Sequence, residues 1–143
     1  MNHKKVLLAV LLLLLCAALA GCSDGAKSKT VDVDISAMPS ATAYSFAYDM
    51  FNTEPENYRG YTVRVAGQYD QSYFEETGLY YDYVVVSDGT CCMTGVEFKP
   101  EQKASLPAVG ESIELVGVVD SYEELGQTYF YLKNASVTVL PRS

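Results

Sequence analysis

The residues with the most reactive side chains are two adjacent cysteines, Cys91 and Cys92, in the segment GTCCMTGVEF (89–98). Thiolates bind soft metal ions such as Cu(I) and Zn(II), and Met93 would add a third sulfur ligand. Adjacent cysteines can also form a strained, easily reduced disulfide, pair with a second chain, or fill space in the core. The sequence leaves these four roles open, and copper or zinc at Cys91 and Cys92 is the only cofactor it suggests.

Tyrosines are the second group of interest, since the chain contains 12 of them. Tyr81 and Tyr83 share one face of a predicted strand, and Tyr129 and Tyr131 share one face of another. If these strands are neighbours, the rings form an aromatic wall that suits contact with a protein, a peptide or an envelope glycan. Tyrosine is also an ordinary half-buried strand residue, so the pattern leaves both roles open.

The chain has few groups for acid–base or nucleophilic catalysis. Its only histidine is His3, which lies in a segment that we expect to be removed. The acidic clusters FEET (74–77) and SYEEL (121–125) fall in predicted hairpin loops and lack the spacing of a calcium-binding loop. Because no nucleophile, base and orienting group occur together, the sequence predicts a protein that is not an enzyme.

The N-terminal segment has the pattern of a secretory signal peptide. A basic start is followed by an apolar run over 6–20, which is too short and wrongly flanked for a membrane-spanning helix. The residues Leu19-Ala20-Gly21-Cys22 then resemble the lipobox of bacterial lipoproteins. This resemblance implies that residues 1–21 are the signal peptide and that Cys22 carries the lipid. The protein would then be anchored to the cell membrane on its extracytoplasmic face.

Length and charge limit the domain count and the partners. The chain carries 10 basic and 18 acidic residues, and removal of the signal would also remove Lys4 and Lys5. Such an acidic chain repels nucleic acid, which we exclude as a partner. The small, polar segment 22–39 is predicted to be a flexible tether, and 40–141 is long enough for one small domain.

One helix and five strands are predicted in that domain. The helix begins with Ser40 as N-cap, places Ala43, Ala47, Met50 and Phe51 on one apolar stripe, and ends before Pro55. Period-two alternation and turn residues then predict strands over 61–69, 79–87, 93–98, 112–122 and 128–140, with a bend or bulge at Lys133-Asn134 in the last.

Two motifs suggest a fold family. The segments YRGYTVRVAG (58–67) and GESIELVGV (110–118) resemble the OB-fold-type modules of bacterial exported proteins, and the Cys-Cys pair resembles one in small exported lipoproteins without an established activity. The resemblance implies a mainly β fold, a small five-stranded OB-like barrel with one N-terminal α-helix. The loop 99–111 contains two prolines and has little room for the helix usual there, so the N-terminal helix is expected to cover the barrel end.

Two functions remain after these exclusions. The first is a membrane-anchored, non-enzymatic binding or accessory module that holds a protein, peptide or glycan against Tyr81, Tyr83, Tyr129 and Tyr131. The alternative is a thiol-dependent lipoprotein that binds a soft metal or responds to redox conditions through Cys91 and Cys92.

Overall fold

The computed structural model describes residues 30–101 and 106–141 of the 143-residue chain. The fold is mainly β, with one six-stranded sheet and one short α-helix, as the sequence predicts in outline. The elements are β1 (Val33–Asp34), α1 (Ser40–Tyr48), a π-helical turn (Asp49–Thr53), a 3-10 turn (Pro55–Tyr58), β2 (Thr62–Phe74), β3 (Leu79–Ser87), β4 (Met93–Pro100), β5 (Ser112–Glu124) and β6 (Gln127–Val139). The predicted signal peptide and the lipidation site Cys22 lie outside the described residues.

Each of the five long strands pairs with two of the other four. The antiparallel pairs are β2–β3, β3–β4, β5–β6 and β2–β5, whereas β4 and β6 run parallel. The pairing therefore passes along β2, β3, β4, β6 and β5 and returns to β2. The sixth strand, β1, is additional to the five that the sequence predicts, and it lies parallel to the start of β2.

The described end of the predicted tether packs against the domain. Val33 pairs with Val63, and Ile35 is only 1% exposed. Asp34 also accepts a hydrogen bond from Arg64 at 3.1 Å. Residues 30–39 thus supply a strand and a core residue, because alternating apolar side chains here meet the open side of β2.

The helix buries the stripe that its spacing predicts. Ala43 and Ala47 in α1 are buried, as are Met50 and Phe51 in the π-helical turn. The prediction that Ser40 is the N-cap is wrong, since Pro39 holds that position and no side chain caps the helix. Proline suits this position because its fixed φ is compatible with the start of a helix. It has no N–H group, but the first N–H groups of a helix have no partner within the helix, so no hydrogen bond is lost.

Alternate residues of the long strands form the core. The strand residues of this core are Val63, Val65, Tyr69, Val84, Val86, Val96, Phe98, Ile113, Leu115, Val119, Leu132 and Ala135. At Gly67 the backbones of β2 and β3 approach so closely that a Cβ would lie 2.2 Å from the carbonyl oxygen of Val85. This glycine lets β2 bend from its pairing with β5 to its pairing with β3.

The bulge expected in the last strand is confirmed. Val116 pairs with Ser136 but Val118 pairs with Lys133, so β6 contains one extra residue at this point. Asn134 adopts a left-handed φ of 51° there. The extra residue changes which side chains face inward, so that Leu132 and Ala135 are both buried.

Candidate functional site

Two long hairpins and the strand between them form the principal candidate site. The β2–β3 hairpin turns after Phe74, which pairs with Leu79, and the β5–β6 hairpin turns after Glu124, which pairs with Gln127. The hydroxyl of Tyr81 donates a hydrogen bond to Glu124 at 2.7 Å and so connects the two hairpins. Strand β4 lies between β3 and β6 and forms the floor.

These elements enclose a cavity of about 60 Å³, which we call the tyrosine cleft. It is lined by Phe74, Thr77, Tyr81, Tyr83, Glu97, Tyr122, Glu124, Leu125 and Tyr129. Five of the nine side chains are aromatic and two are carboxylates. An apolar wall with a few polar groups is the usual composition of a small-ligand site.

Strand register brings the predicted tyrosines together in part. Tyr81, Tyr83 and Tyr129 all line the cleft. The continuous aromatic wall required the two strands to be neighbours, and they are not, because β4 separates β3 from β6. Tyr131 lies beside the cleft, and its ring contacts that of Tyr122 at a centroid distance of 5.4 Å.

The separating strand adds a carboxylate that the sequence argument missed. Glu97 pairs with Tyr83 across β3 and β4 and is only 7% exposed. Glu97 lies between the core residues Val96 and Phe98. An ionisable residue within such an apolar segment is unusual, and this feature of the sequence could have identified it as a candidate site residue. The neighbouring Gly95 has no side chain, and the ring of Tyr83 lies over that position.

The second missed carboxylate, Glu124, belongs to the SYEEL cluster. That cluster is predicted to lie in a hairpin loop, but Ser121–Glu124 continue strand β5 and only Leu125 and Gly126 form the turn. Strand alternation then directs Glu124 into the cleft, since Tyr122 two residues earlier also lines it. The FEET cluster does lie in the other hairpin turn, where Glu75 and Glu76 are exposed.

Glu97 and Tyr122 form the polar centre of the cleft. The Tyr122 hydroxyl donates to Glu97 Oε2 at 2.8 Å. Burial raises the pKa of the Glu97 carboxyl, although the bond from Tyr122 and the charge of Lys99 act in the opposite direction. Burial and then the bond to Glu97 raise the pKa of the Tyr122 hydroxyl, which therefore remains a donor at neutral pH.

A lysine ammonium lies against the aromatic rings at the edge of this site. Lys99 Nζ is 3.9 Å from the ring centroid of Tyr122 and 4.7 Å from that of Tyr131. Tyr122 also stacks on its cross-strand partner Tyr129, with centroids 5.6 Å apart. The ring faces of Tyr122 and Tyr131 thus contact a cation, as the negative face of an aromatic quadrupole favours.

The two cysteines lie in a separate place, the thiol loop of residues 88–92 between β3 and β4. Asp88 N–H donates to the Cys92 carbonyl at 3.0 Å, and Gly89 has a φ of 85° that favours glycine. Both thiols are free and exposed, with their Sγ atoms 3.6 Å apart. Their exposure is inconsistent with core packing, and Met93, which begins β4, is 69% exposed.

Asp88 completes a set of three potential ligands in the thiol loop. One carboxylate oxygen of Asp88 and the Sγ atoms of Cys91 and Cys92 all lie within 4.8 Å of one another. The bond with Cys91 and then the negative charge of Asp88 raise the pKa of the Cys92 thiol. Asp88 was not among the predicted ligands, although it lies only three residues before Cys91.

A larger groove of about 470 Å³ lies between α1, the segment before it and strands β2 and β3. Its lining consists of aliphatic, glycine and small polar residues and includes no charged side chain. Its polar groups are those of four serines and Gln68, and unlike the tyrosine cleft it has neither a carboxylate nor an aromatic ring.

Comparison with known proteins found no matching family model, no matching curated protein and no matching solved structure. None of the helices in 30–101 and 106–141 has the length and apolar content needed to cross a lipid bilayer.

Proposed function

We propose that the chain is a lipid-anchored, extracytoplasmic binding module with no enzymatic activity, and that its domain is an OB-like five-stranded barrel. Closure of the pairing from β5 back to β2 supports the barrel, as does the parallel pair β4–β6 among otherwise antiparallel long strands. The lipid at Cys22 would hold the module on the outer face of the cell membrane. A single acyl chain anchors weakly, so stable attachment would need the several chains typical of lipoproteins.

The tyrosine cleft is the observation on which the binding function rests. OB barrels bind their ligands on the face of the second and third barrel strands and on the loops joining strands one to two and four to five. Those parts correspond here to β3, β4 and the β2–β3 and β5–β6 turns, which are the elements around the cleft. Location, aromatic lining and polar groups thus coincide at one place.

The partner that we propose is a protein, a peptide or an envelope glycan rather than nucleic acid. Eighteen acidic residues against 10 basic ones give the chain a formal charge of −8. The cleft itself contributes Glu97 and Glu124, which would repel phosphate groups. Tyrosine side chains, with an apolar ring and a terminal hydroxyl, can contact both peptides and sugars.

Binding can be tested with soluble probes and the full-length chain in nonionic detergent. The probes are a tetralysine peptide and a peptidoglycan fragment, and the readout is the shift of tyrosine ring signals in NMR spectra. We expect at least one probe to shift the signals of Tyr83, and Tyr83→Ala to abolish its binding. Tyr80→Ala is the matched control, because Tyr80 is 65% exposed on the opposite face of the same strand. Equal loss in both variants, or no shift with either probe, would count against the proposal.

A second candidate function is supported by the thiol loop. We propose that Asp88, Cys91 and Cys92 can bind one soft metal ion, Cu(I) or Zn(II), with Met93 as a further ligand for Cu(I). The hydrogen bond with Cys91 and the negative charge of Asp88 raise the pKa of the Cys92 thiol. A bound metal cation would instead favour the thiolate and lower that pKa.

Native mass spectrometry after addition of each metal distinguishes this second function. One ion per chain is expected in the parent protein and none in Cys91→Ser or Cys92→Ser. Met93→Leu should weaken Cu(I) binding alone, because thioether sulfur is a poor ligand for Zn(II). Retention of metal by both serine variants would show that the thiol loop is not the site.

A further inference from the structure

The tyrosine cleft combines ring faces with carboxylates in the manner of a cation site. Tyr122 and Tyr131 already hold the ammonium of Lys99 on their rings, at 3.9 and 4.7 Å. Aromatic rings around an ammonium group are the known arrangement for recognising such ligands. The contact with Lys99 therefore indicates that these ring faces accept an ammonium group.

The carboxylates of the cleft have no cationic partner within the described part of the chain. Neither Glu97 nor Glu124 forms an ion pair among residues 30–101 and 106–141, and their observed partners are the hydroxyls of Tyr122 and Tyr81. Lys99 is near enough to influence Glu97 but not to pair with it. Burial disfavours the charged form of a carboxyl group that is 7% exposed and has no ion pair, and a cationic ligand would favour that form again.

The dimensions of the cleft restrict the ligand to a small group. Its volume of about 60 Å³ is far below the roughly 300–1,000 Å³ of pockets that enclose drug-sized molecules. The end of one side chain fits inside the cleft, and the rest of the ligand would lie in an adjoining groove of about 370 Å³ that shares Tyr83, Glu97 and Tyr129 with the cleft. Of the common side chains, lysine has the most compact cationic head, a single ammonium on a long apolar stem.

We propose that the tyrosine cleft binds the ammonium group of a lysine side chain that a partner protein presents. This inference rests on the proposed binding function and adds the chemistry of the ligand. The lysine stem would lie against the rings of Tyr81, Tyr83 and Tyr129, and the ammonium would reach Glu97. Lys99 then acts as an internal competitor, because its ammonium uses the same Tyr122 ring.

Titration calorimetry of the full-length chain in nonionic detergent tests this inference. Tetralysine is the probe, and tetralysine with every side chain Nε-acetylated is its neutral control. We expect tetralysine to bind and the acetylated peptide not to bind. Glu97→Gln should weaken binding about tenfold or more, because a buried, charge-assisted hydrogen bond is lost.

Two further variants separate a specific site from general attraction. Glu75→Gln removes the same charge from the exposed β2–β3 turn, outside the cleft, and should change affinity less than about twofold at physiological salt. Lys99→Met removes the internal competitor and should strengthen tetralysine binding about twofold to fivefold, the value of an exposed cation–π contact. Because removal of a positive charge also strengthens the general attraction of the chain to tetralysine, the gain must exceed the less than about twofold change expected for Glu75→Gln. A gain of that size keeps the inference testable if Glu97→Gln does not fold.

The outcomes distinguish this inference from the broader binding function. Equal weakening by Glu97→Gln and Glu75→Gln, or binding of the acetylated peptide as tightly as tetralysine, would overturn the lysine assignment. If tetralysine does not bind while the peptidoglycan fragment shifts the Tyr83 signals, the module binds a ligand of another class. If neither probe reaches the cleft, both the assignment and the binding function fail.

Discussion

Loss of a single hydroxyl at the centre of the tyrosine cleft should destabilise the fold. Tyr122→Phe keeps the ring, its stacking on Tyr129 and its contact with Lys99, and removes only the donor to Glu97. The Glu97 carboxylate, which is 7% exposed, would then lose a 2.8 Å hydrogen bond that water cannot readily replace. The substitution therefore isolates the energy of one buried polar contact.

The magnitude follows from the charge and burial of the acceptor. A hydrogen bond to a charged group contributes about 1.5–3 kcal/mol, against about 0.5–1.5 kcal/mol for a neutral pair. We expect Tyr122→Phe to lower the free energy of unfolding by about 1.5–3 kcal/mol at pH 7. In a Glu97→Gln background the same change should cost about 1 kcal/mol less, because the amide acceptor is uncharged.

Urea denaturation of the four proteins of this double-mutant cycle measures the coupling directly. Tyr129→Phe is the matched control, since its hydroxyl makes a 3.2 Å bond to the exposed Gln127. That control should cost less than about 0.5 kcal/mol, as surface substitutions usually do. If Tyr122→Phe and Tyr129→Phe cost the same, or if Glu97→Gln leaves the cost of Tyr122→Phe unchanged, the buried pair does not exist as described.

Three other substitutions test the fold and its electrostatics. Gly67→Ala would place a Cβ 2.2 Å from the carbonyl oxygen of Val85, so we expect a loss of about 1–3 kcal/mol in urea denaturation, and an unchanged midpoint would contradict this close approach. Phe98→Ala removes a ring that is 1% exposed and contacts Tyr69, and should cost about 3–5 kcal/mol, whereas a cost below about 1 kcal/mol would place Phe98 outside the core. The pKa of Glu97 is raised above its ordinary value of 4.5, so its ionisation reduces stability as pH rises from about 4.5 through the folded-state pKa. Glu97→Gln should therefore be more stable relative to the parent at pH 7 than at pH 4, and a difference in melting temperature that does not vary with pH would refute the raised pKa.

The strand pattern could be predicted well because it depends on local alternation. The predicted strand 79–87 coincides with β3, and the bulge at Lys133-Asn134 occurs where the alternation changes phase. The start of the helix was less predictable, since Ser40 and Pro39 are both suitable residues near a helix N-terminus. The short strand β1 lies in a segment with period-two alternation, VDVDI (31–35), but its pairing depends on a parallel partner 30 residues away, which the local pattern does not specify.

The candidate site was only partly predictable. Tyr81, Tyr83 and Tyr129 were identified from their residue type and spacing, but Glu97 and Glu124 were not. Whether a strand glutamate faces solvent or a cavity depends on which strands flank it, and that is a matter of long-range pairing. The exposure of both thiols likewise depends on the turn that removes Cys91 and Cys92 from strand geometry.

The sequence by itself determined the mainly β class, the apolar stripe of the helix and the acidic character of the chain, because these follow from residue type and short periodicity. Only the tertiary structure decided that β4 separates the two tyrosine strands and that its Glu97 lies among their rings. The physical reason is that side-chain direction repeats every two residues and is encoded locally, whereas strand order is set by how the whole core packs. A site formed between two hairpins therefore depends on contacts that neither hairpin encodes alone.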